Sequence, residues 1–485
     1  MRNHMKKLST LLLLLIVSVD LRAQELRASV LALTHVTVID MTGAPPKRDL
    51  TVVITGNRIT AIARSNEMRI PPGAQVIDAA GKFLIPGLWD MHVHFTEIER
   101  SFPLFIANGV TGVRNMGGDL EDLLRWRAGV TSGKLLGPRV LTCGPILDGP
   151  QPAAHGPTIV VANATEGRQT VDMLKQRGAD CVKVYDRLPR DAYFAIIDQA
   201  KRDGIPVVGH VPESITTKEA SGAGQKSIEH LGTILQGCST IEDELRRQEA
   251  VPMPSGGDFS EFPRRIAARG ERMLDTYDEQ KAKQLFAQLV KNQTWQVPTL
   301  VTKRALTFID DFDRNGDERL KYIPQAEQKW WSPKQNFLLR YRTPGYIVYS
   351  KRAFQRELEL VGAMHRAGVS LMTGTDLSIP YIFAGFSVHD ELALFVQAGL
   401  TPMEALQSAT RNPAVFLGEL SSLGIERGKI ANLVLLSANP LDNIRNTQRI
   451  DAVVLNGRYL PKETLQRMLA DAEVAAKRKW GWIGS

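Results

Sequence analysis

The chain reads as an α/β protein: a (β/α)8 TIM-type barrel with a small β-sandwich domain built from both chain ends. Three observations point there. Short apolar runs alternate with helical patterns through the middle of the 485 residues, as parallel βα units do. β-rich segments with hairpin turns occupy both ends and can pair with each other. Histidines, a lysine and an aspartate fall at or near the C-terminal ends of the apolar runs, the face on which barrel enzymes build their sites.

Residues 1–23 stand apart. MRNHMKK is basic, LSTLLLLLIVSV is short and apolar, and Ala23 offers a small residue before Gln24. This is the pattern of a secretory signal peptide, and its apolar run is short for a membrane span. It predicts export to the periplasm or medium, with no stable membrane insertion after cleavage. Residues 28–85 read as strands, SVLALTHVTVID, DLTVVITGNRITAIA and AQVIDAAGKFLI, with Gly56-Asn57 as a hairpin turn. The same texture returns over 421–461 as ANLVLLSA and DAVVLNGRYL, with Asn456-Gly457 as a second turn.

Between them, residues 86–420 carry eight strand candidates: GLWDMHVHF, GVTGVRNM, RVLTCG, ADCVKVY, IPVVGH, KSIEHL, VPTLVT and VSLMTGTD. Helical stretches such as DLEDLLRWRAG and EGRQTVDMLKQRG intervene, the second ending in Gly178, a helix C-cap signal. A doubly wound open sheet is the alternative arrangement. Two polar helical insertions, about 240–292 and 303–350, read either as solvated outer helices or as a cover over the barrel mouth. Residues 462–485 read as a surface helix.

Composition bounds the function. At 43% hydrophobic and 23% charged residues the chain has a globular composition. Its formal charge of +8 is scattered, and part sits in the signal segment, so nucleic acid is excluded as a partner. Cys143, Cys181 and Cys238 are odd in number and widely spaced. They do not make a disulfide framework, and the first two read as buried thiols in apolar strands.

His92 and His94 close the first barrel strand. Residues i and i+2 of a strand share a face, so both imidazoles can reach one divalent ion. His210 ends the fifth strand, His230 lies near the end of the sixth, and Asp376 ends the eighth. Singly, each reads as a packed histidine or a turn carboxylate. Together they converge on the barrel mouth. Lys183 lies among Val182, Val184 and Tyr185 in the fourth strand. Apolar surroundings favour its neutral amine, which reacts with carbon dioxide to give a carbamate, a carboxylate able to bridge two metal ions about 3.5–4 Å apart. The other reading is a strand-end lysine reaching solvent or pairing with Asp186.

The stretches GKFLIPGLWDMHVH, GADCVKVY, IPVVGHVP, KSIEHLG, LMTGTDLS, HDELALFVQAGLTPMEALQSATRNPAVFLG and GIERGKIANLVLL resemble, in order, the amidohydrolase superfamily. Within it they resemble the imidazolonepropionase-like and Xaa-Pro dipeptidase (prolidase) branch. The resemblance implies that His92 and His94 bind the more buried metal, that carboxylated Lys183 bridges, and that His210 and His230 bind the second metal. Asp376 would touch the buried metal and shuttle a proton. Asn432 replaces an aspartate common in the family's sandwich strand. The expected reaction is hydrolysis of an amide-type C–N bond by a hydroxide shared between two divalent ions, with zinc the expected metal. The expected substrate is a small peptide such as Xaa-Pro or an N-acyl amino acid, and a homo-oligomer is compatible with it.

Two other classes compete. Glu213, three residues after His210, sits where mononuclear deaminases of the superfamily carry an acid–base glutamate; a deaminase or cyclic-amide hydrolase is therefore the first alternative. A non-catalytic barrel that only binds is the second. Tyr185, His155 and Arg114 are candidate substrate contacts, Arg114 for an anion. His389 and His365 read as helix packing or capping residues.

Overall fold

The computed structural model describes residues 30–249, 261–311, 316–332 and 335–478. The signal-peptide assignment falls outside the described residues. The strands at the two chain ends pair with each other. Val30–Val38 pairs antiparallel with Lys47–Thr55, which pairs in turn with Arg58–Arg64, and, along its other edge, parallel with Gln75–Asp78 and Phe83–Pro86. Phe83–Pro86 then accepts the C-terminal strand Leu433–Leu436, followed by Ile450–Leu455 and Arg458–Pro461. The result is one eight-stranded sheet, branched at its first strand, rather than two separate sheets. Alternating residues such as Leu31, Leu33, Val52, Ile54, Leu433 and Leu435 face one buried cluster, as a period of two dictates. The two hairpin turns touch: Asn57 Nδ2 donates to Asn456 Oδ1 at 3.1 Å.

The central region holds two parallel sheets. One comprises Leu88–Val93, Val110–Asn115 and Arg139–Thr142. The other contains Val182–Val184, Val207–Gly209, Ser227–Glu229 and Trp295–Val297, with Ile146–Asp148 and Thr158–Val160 at its edge. Both seams between the sheets are tied. At the first, Asp180 N donates to Thr142 O at 2.8 Å, and Cys143 and Cys181 form a disulfide. This corrects the reading of those cysteines as thiols: adjacent strands bring residues 38 apart in sequence to a Cα–Cα distance of 4.4 Å.

At the second seam the segment 370–376 bonds both ways. Met372 N donates to Gln296 O and Met91 N to Thr373 O, each at 2.9 Å. It forms only an isolated bridge, Gln296–Leu371, instead of the full strand expected. Gly374 explains why the chain can pass so close. A Cβ there would meet Val297 Cγ1 at 2.5 Å and His92 Cβ at 2.7 Å.

The seventh expected strand is displaced. It runs Trp295–Val297, upstream of the reading at VPTLVT, and Leu300–Thr307 is helical. Pro298 has no N–H to continue a ladder. The N–H groups of Leu300 and Val301 are instead taken by the buried Glu391 carboxylate, the first at 3.0 Å and the second at 2.6 Å.

Helices cover the sheets with apolar faces inward. Leu120–Thr131 buries Leu120, Leu123 and Trp126, and its N-terminus is capped by Asp119. Ala164–Gln176 buries Val171 and Leu174, and Gly178 follows it at φ +91°. In the first insertion lie Glu242–Glu249, Glu261–Asp275 and Glu279–Lys291. In the second, a 3-10 turn Glu318–Tyr322 and the helix Gln325–Trp330 precede the long helix Pro344–Arg366. Arg100, in the loop after the first barrel strand, donates to Tyr322 O and Glu327 of this insertion. Trp331 packs on Tyr381 and Phe383 of the loop after residue 376. Lys462–Lys477 is the last described helix and packs Leu465 and Met468 against Ile106 and Ala107.

Candidate metal centre

Every residue of Leu88–Val93 is buried, and His92 lies on it; His94 follows one residue past its end. Their Nε2 atoms are 3.2 Å apart. Asp376 Oδ1 lies 3.3 Å from the first and 3.5 Å from the second. His230 joins them: one donor atom each from His92, His230 and Asp376 falls within 4.8 Å of the others. The His230 ring is 5.0 Å from that of His92 and 4.8 Å from that of His210. Lys183 is fully buried, and its Nζ has no hydrogen-bond partner. The chain thus brings His92, His94, His210, His230 and Asp376 together, with Lys183 in the adjoining strand.

The outer side of each imidazole is engaged through Nδ1. His92 Nδ1 meets Glu229 Oε2 at 2.9 Å, and His210 Nδ1 meets Asp186 Oδ1 at 2.8 Å. His230 Nδ1 meets the Thr299 hydroxyl at 2.7 Å, and His94 Nδ1 meets Gly117 O at 3.3 Å. A carboxylate or carbonyl partner accepts a hydrogen bond from Nδ1–H, which fixes the proton there and leaves the Nε2 lone pair free. His92, His94 and His210 are therefore set to bind through Nε2, and the Thr299 hydroxyl allows the same tautomer for His230.

Electrostatics favours the same state. Burial drives the His92 pKa well below its ordinary value, helped by Lys183, and takes His230 down to about 4. Neutral imidazoles are the metal-binding form. Burial alone would raise Asp376, but His92 and the hydrogen bond to His94 hold it well below the usual carboxylate range. Burial lowers Lys183 to about 8 against the pull of Glu229 and Asp376. Asp90 is pushed up to about 7 by burial, although it accepts from Thr375 N and Oγ1.

Backbone strain marks the same spot. His230 has φ +62°, Asp376 +55° and Thr299 +50°. Non-glycine residues in this region cost about 1–3 kcal/mol each and persist only where their surroundings hold them. Here Asp376 N donates to His92 O at 2.7 Å and His230 N to Val297 O at 2.9 Å. The donor set suits divalent cations: imidazoles, a carboxylate, and a buried amine with nothing to bond.

The candidate substrate contacts fare unequally. Tyr185 stacks on His210 with centroids 4.1 Å apart. His155 is exposed on the loop after Ile146–Asp148; Asp148 holds that loop through Ala153 N and Ala154 N, and also accepts from Arg187 N. Arg114 needs correcting. It is fully buried, and its guanidinium is consumed by Met91 O, Ser227 Oγ and Glu229 Oε1. It therefore reaches no substrate; it backs Glu229, which backs His92. Glu213 pairs with Arg187 Nε at 3.1 Å. His389 is packed between Thr447 and Asn108, and His365 pairs with Glu404.

Glu229, Thr299 and Glu391 were not singled out from the sequence. A glutamate inside the apolar run KSIEHL was the available signal for the first. The sequence offers Asp186 as a partner for Lys183, whereas in the structure it serves His210.

The pattern defining the Amidohydrolase family matches residues 83–460. Ochratoxinase of Aspergillus niger is 23% identical over 436 residues, covering 76% of this chain and 73% of that protein. Among solved structures, a proposed prolidase from Bifidobacterium longum is 24% identical, covers 92% of this chain and 99% of its own, and has a TM-score of 0.65. A bottromycin amidohydrolase is 23% identical, with coverages of 92% and 90% and a TM-score of 0.72. A Xaa-Pro dipeptidase with bound methionine is 20% identical, with coverages of 89% and 100% and a TM-score of 0.63. These likenesses carry a TIM-like barrel fold.

Proposed function

Because the chain belongs to the amidohydrolase family, we propose that it is an exported, metal-dependent hydrolase of an amide-type C–N bond in a small peptide, such as Xaa-Pro, or an N-acyl amino acid. We take its two parallel sheets as one closed barrel, supported by the bonds across both seams. The observation that carries the reading is the convergence of four imidazoles and Asp376 beside a buried amine without a partner.

His92, His94 and Asp376 would hold one divalent ion, and His210 and His230 a second. Lys183 would bridge them after carboxylation: its neutral nitrogen bonds to the carbon of carbon dioxide, and one proton leaves. Zinc fits the nitrogen and oxygen donors. Such a pair supplies Lewis acidity toward the scissile carbonyl and lowers the pKa of water held there. The protein's own groups do the rest. Asp376 is held as a carboxylate, so it can accept the proton of the attacking water and hand it to the leaving amine. Glu229 and Asp186 fix the tautomers of His92 and His210. The products are a carboxylic acid and an amine. The reading of Glu213 as an acid–base residue is weakened by its pairing with Arg187.

Export is supported by the basic-then-apolar N-terminal segment and by the Cys143–Cys181 bridge, which is stable in oxidising compartments. Cell fractionation with N-terminal sequencing should find the protein outside the cytoplasm, beginning near Gln24. For the chemistry, elemental analysis should give about two ions per chain, and Lys183→Ala should lower that number. One ion, unmoved by Lys183→Ala, returns the mononuclear reading. Zinc-loaded enzyme screened on dipeptides and N-acyl amino acids should release amine and carboxylate; ammonia without a new carboxylate would make it a deaminase.

A further inference from the structure

The helix Leu300–Thr307 begins with its N-cap turned to another task. A threonine at that position ordinarily has extended backbone and accepts an N–H of its own first turn with its hydroxyl. Thr299 does neither. Its φ is +50°, its side chain makes no capping bond, and its hydroxyl meets His230 Nδ1 at 2.7 Å. The first-turn N–H groups are met from elsewhere. Glu391, on the helix Phe386–Gln397, accepts Leu300 N at 3.0 Å with Oε1 and Val301 N at 2.6 Å with Oε2. It is fully buried, and an acidic side chain is favoured at a helix N-terminus. The next N–H, of Thr302, returns to Thr299 O at 3.1 Å.

This arrangement has a chemical use. His92 and His210 each lean on a carboxylate, whereas His230 leans on a hydroxyl. A threonine hydroxyl carries one proton and rotates to suit its neighbours. Called on to cap its own helix, it would desert His230 Nδ1. Glu391 removes that competing demand. It also grips the two residues that follow the strained Thr299 backbone, a conformation that persists only where its surroundings hold it. On the other side of the same turn, Thr302 Oγ1 donates to Thr375 O at 2.6 Å, next to Asp376. The turn is thus tied to the neighbours of one metal-centre residue and to the ring of another.

We propose that Glu391 is a positioning residue of the metal centre: it caps the helix in place of Thr299 and so frees the Thr299 hydroxyl to hold the His230 ring. The inference rests on the metal-centre reading and adds to it a residue that touches neither ion nor substrate.

The test is a stepwise cobalt titration of the metal-free full-length protein, followed by absorption. Glu391→Gln keeps the size but turns one acceptor into an NH2 group facing an N–H; Thr299→Val removes the hydroxyl. Each should weaken one ion about tenfold and leave the other within about twofold. Together they should cost little more than either alone, because both act on one hydrogen bond. Thr299→Ser, which keeps the hydroxyl, should bind as wild type does. Unchanged affinities in Glu391→Gln would overturn the role, even if its melting temperature falls, and so would losses that multiply in the double variant. If Glu391→Gln does not fold, Glu391→Asp takes its place in the cycle, since it keeps the charge but shortens the reach. A wild type that takes up one ion ends the two-ion reading; the cycle on that ion still decides, because His230 groups with His92 and Asp376. The expected metal effects without amide hydrolysis end the hydrolase reading and leave the role of Glu391 standing. No cobalt uptake by wild type ends both.

Discussion

The two sides of the histidine cluster are built differently. On the inner side, His92 leans on Glu229, and Glu229 on Arg114; the Glu229 side chain is 0% exposed and that of Arg114 is 1%. On the outer side, His210 leans on Asp186, whose side chain is 36% exposed, and stacks on Tyr185. The inner carboxylate is locked by a buried ion pair and by Ser227, so it serves the fold and the site at once. The outer one borders solvent and can be altered with little harm to the fold. A buried pair broken on one side leaves an uncompensated charge, whereas a solvated carboxylate does not.

The largest expected effect falls on the chemistry itself. Asp376→Asn keeps a side-chain oxygen beside His92 and His94 but removes the proton acceptor. Turnover should fall about 10²–10⁴-fold while elemental analysis still finds metal. Surviving activity would remove the shuttle role. Next comes Arg114→Met. It leaves Glu229 charged in a dry site, so urea unfolding should show a loss of about 3–5 kcal/mol. A loss below about 1 kcal/mol would mean that the inner side is not the rigid one.

The same contrast explains what could be read from the sequence. His92, His94, His210, His230 and Asp376 each close or follow an apolar run, and strand geometry sends such residues to one face. Their meeting was therefore legible. Arg114 was misread because its partner, Glu229, is 115 residues away; a local pattern shows a charge near a strand end but not which buried carboxylate will claim it. Cys143 and Cys181 face each other only once their strands are neighbours. The shift of the seventh strand followed from Pro298, a local signal, and from Glu391, a distant one. Among the described residues, the strand pairing of both chain ends was legible from alternation and hairpin turns, but the single branched sheet they form was not.

On the outer side the expected effects are smaller. Asp186→Asn should weaken metal binding about 10–100-fold, as loss of a carboxylate behind a histidine ligand does, and should shift the melting temperature little. Competition with a chromogenic chelator measures it. If Asp186→Asn unfolds the protein as Arg114→Met does, the two sides are equivalent and the contrast fails.

The smallest effect joins the two sides through Lys183. Carboxylation needs the neutral amine, and burial lowers Lys183 to about 8. Raising pH from 7 to 8 then increases the neutral fraction from about one-tenth to about one-half. At fixed dissolved carbon dioxide, zinc-dependent activation of the apo-enzyme should therefore quicken about fivefold over that unit and level off above pH 9. The sign follows from the base: deprotonation creates the reactive form, so the rate rises with pH. A lysine at its ordinary pKa near 10.4 would gain about tenfold per unit and keep gaining past pH 9. That profile would show Lys183 to be solvated, and with it would go the dry interior that sets the inner side apart.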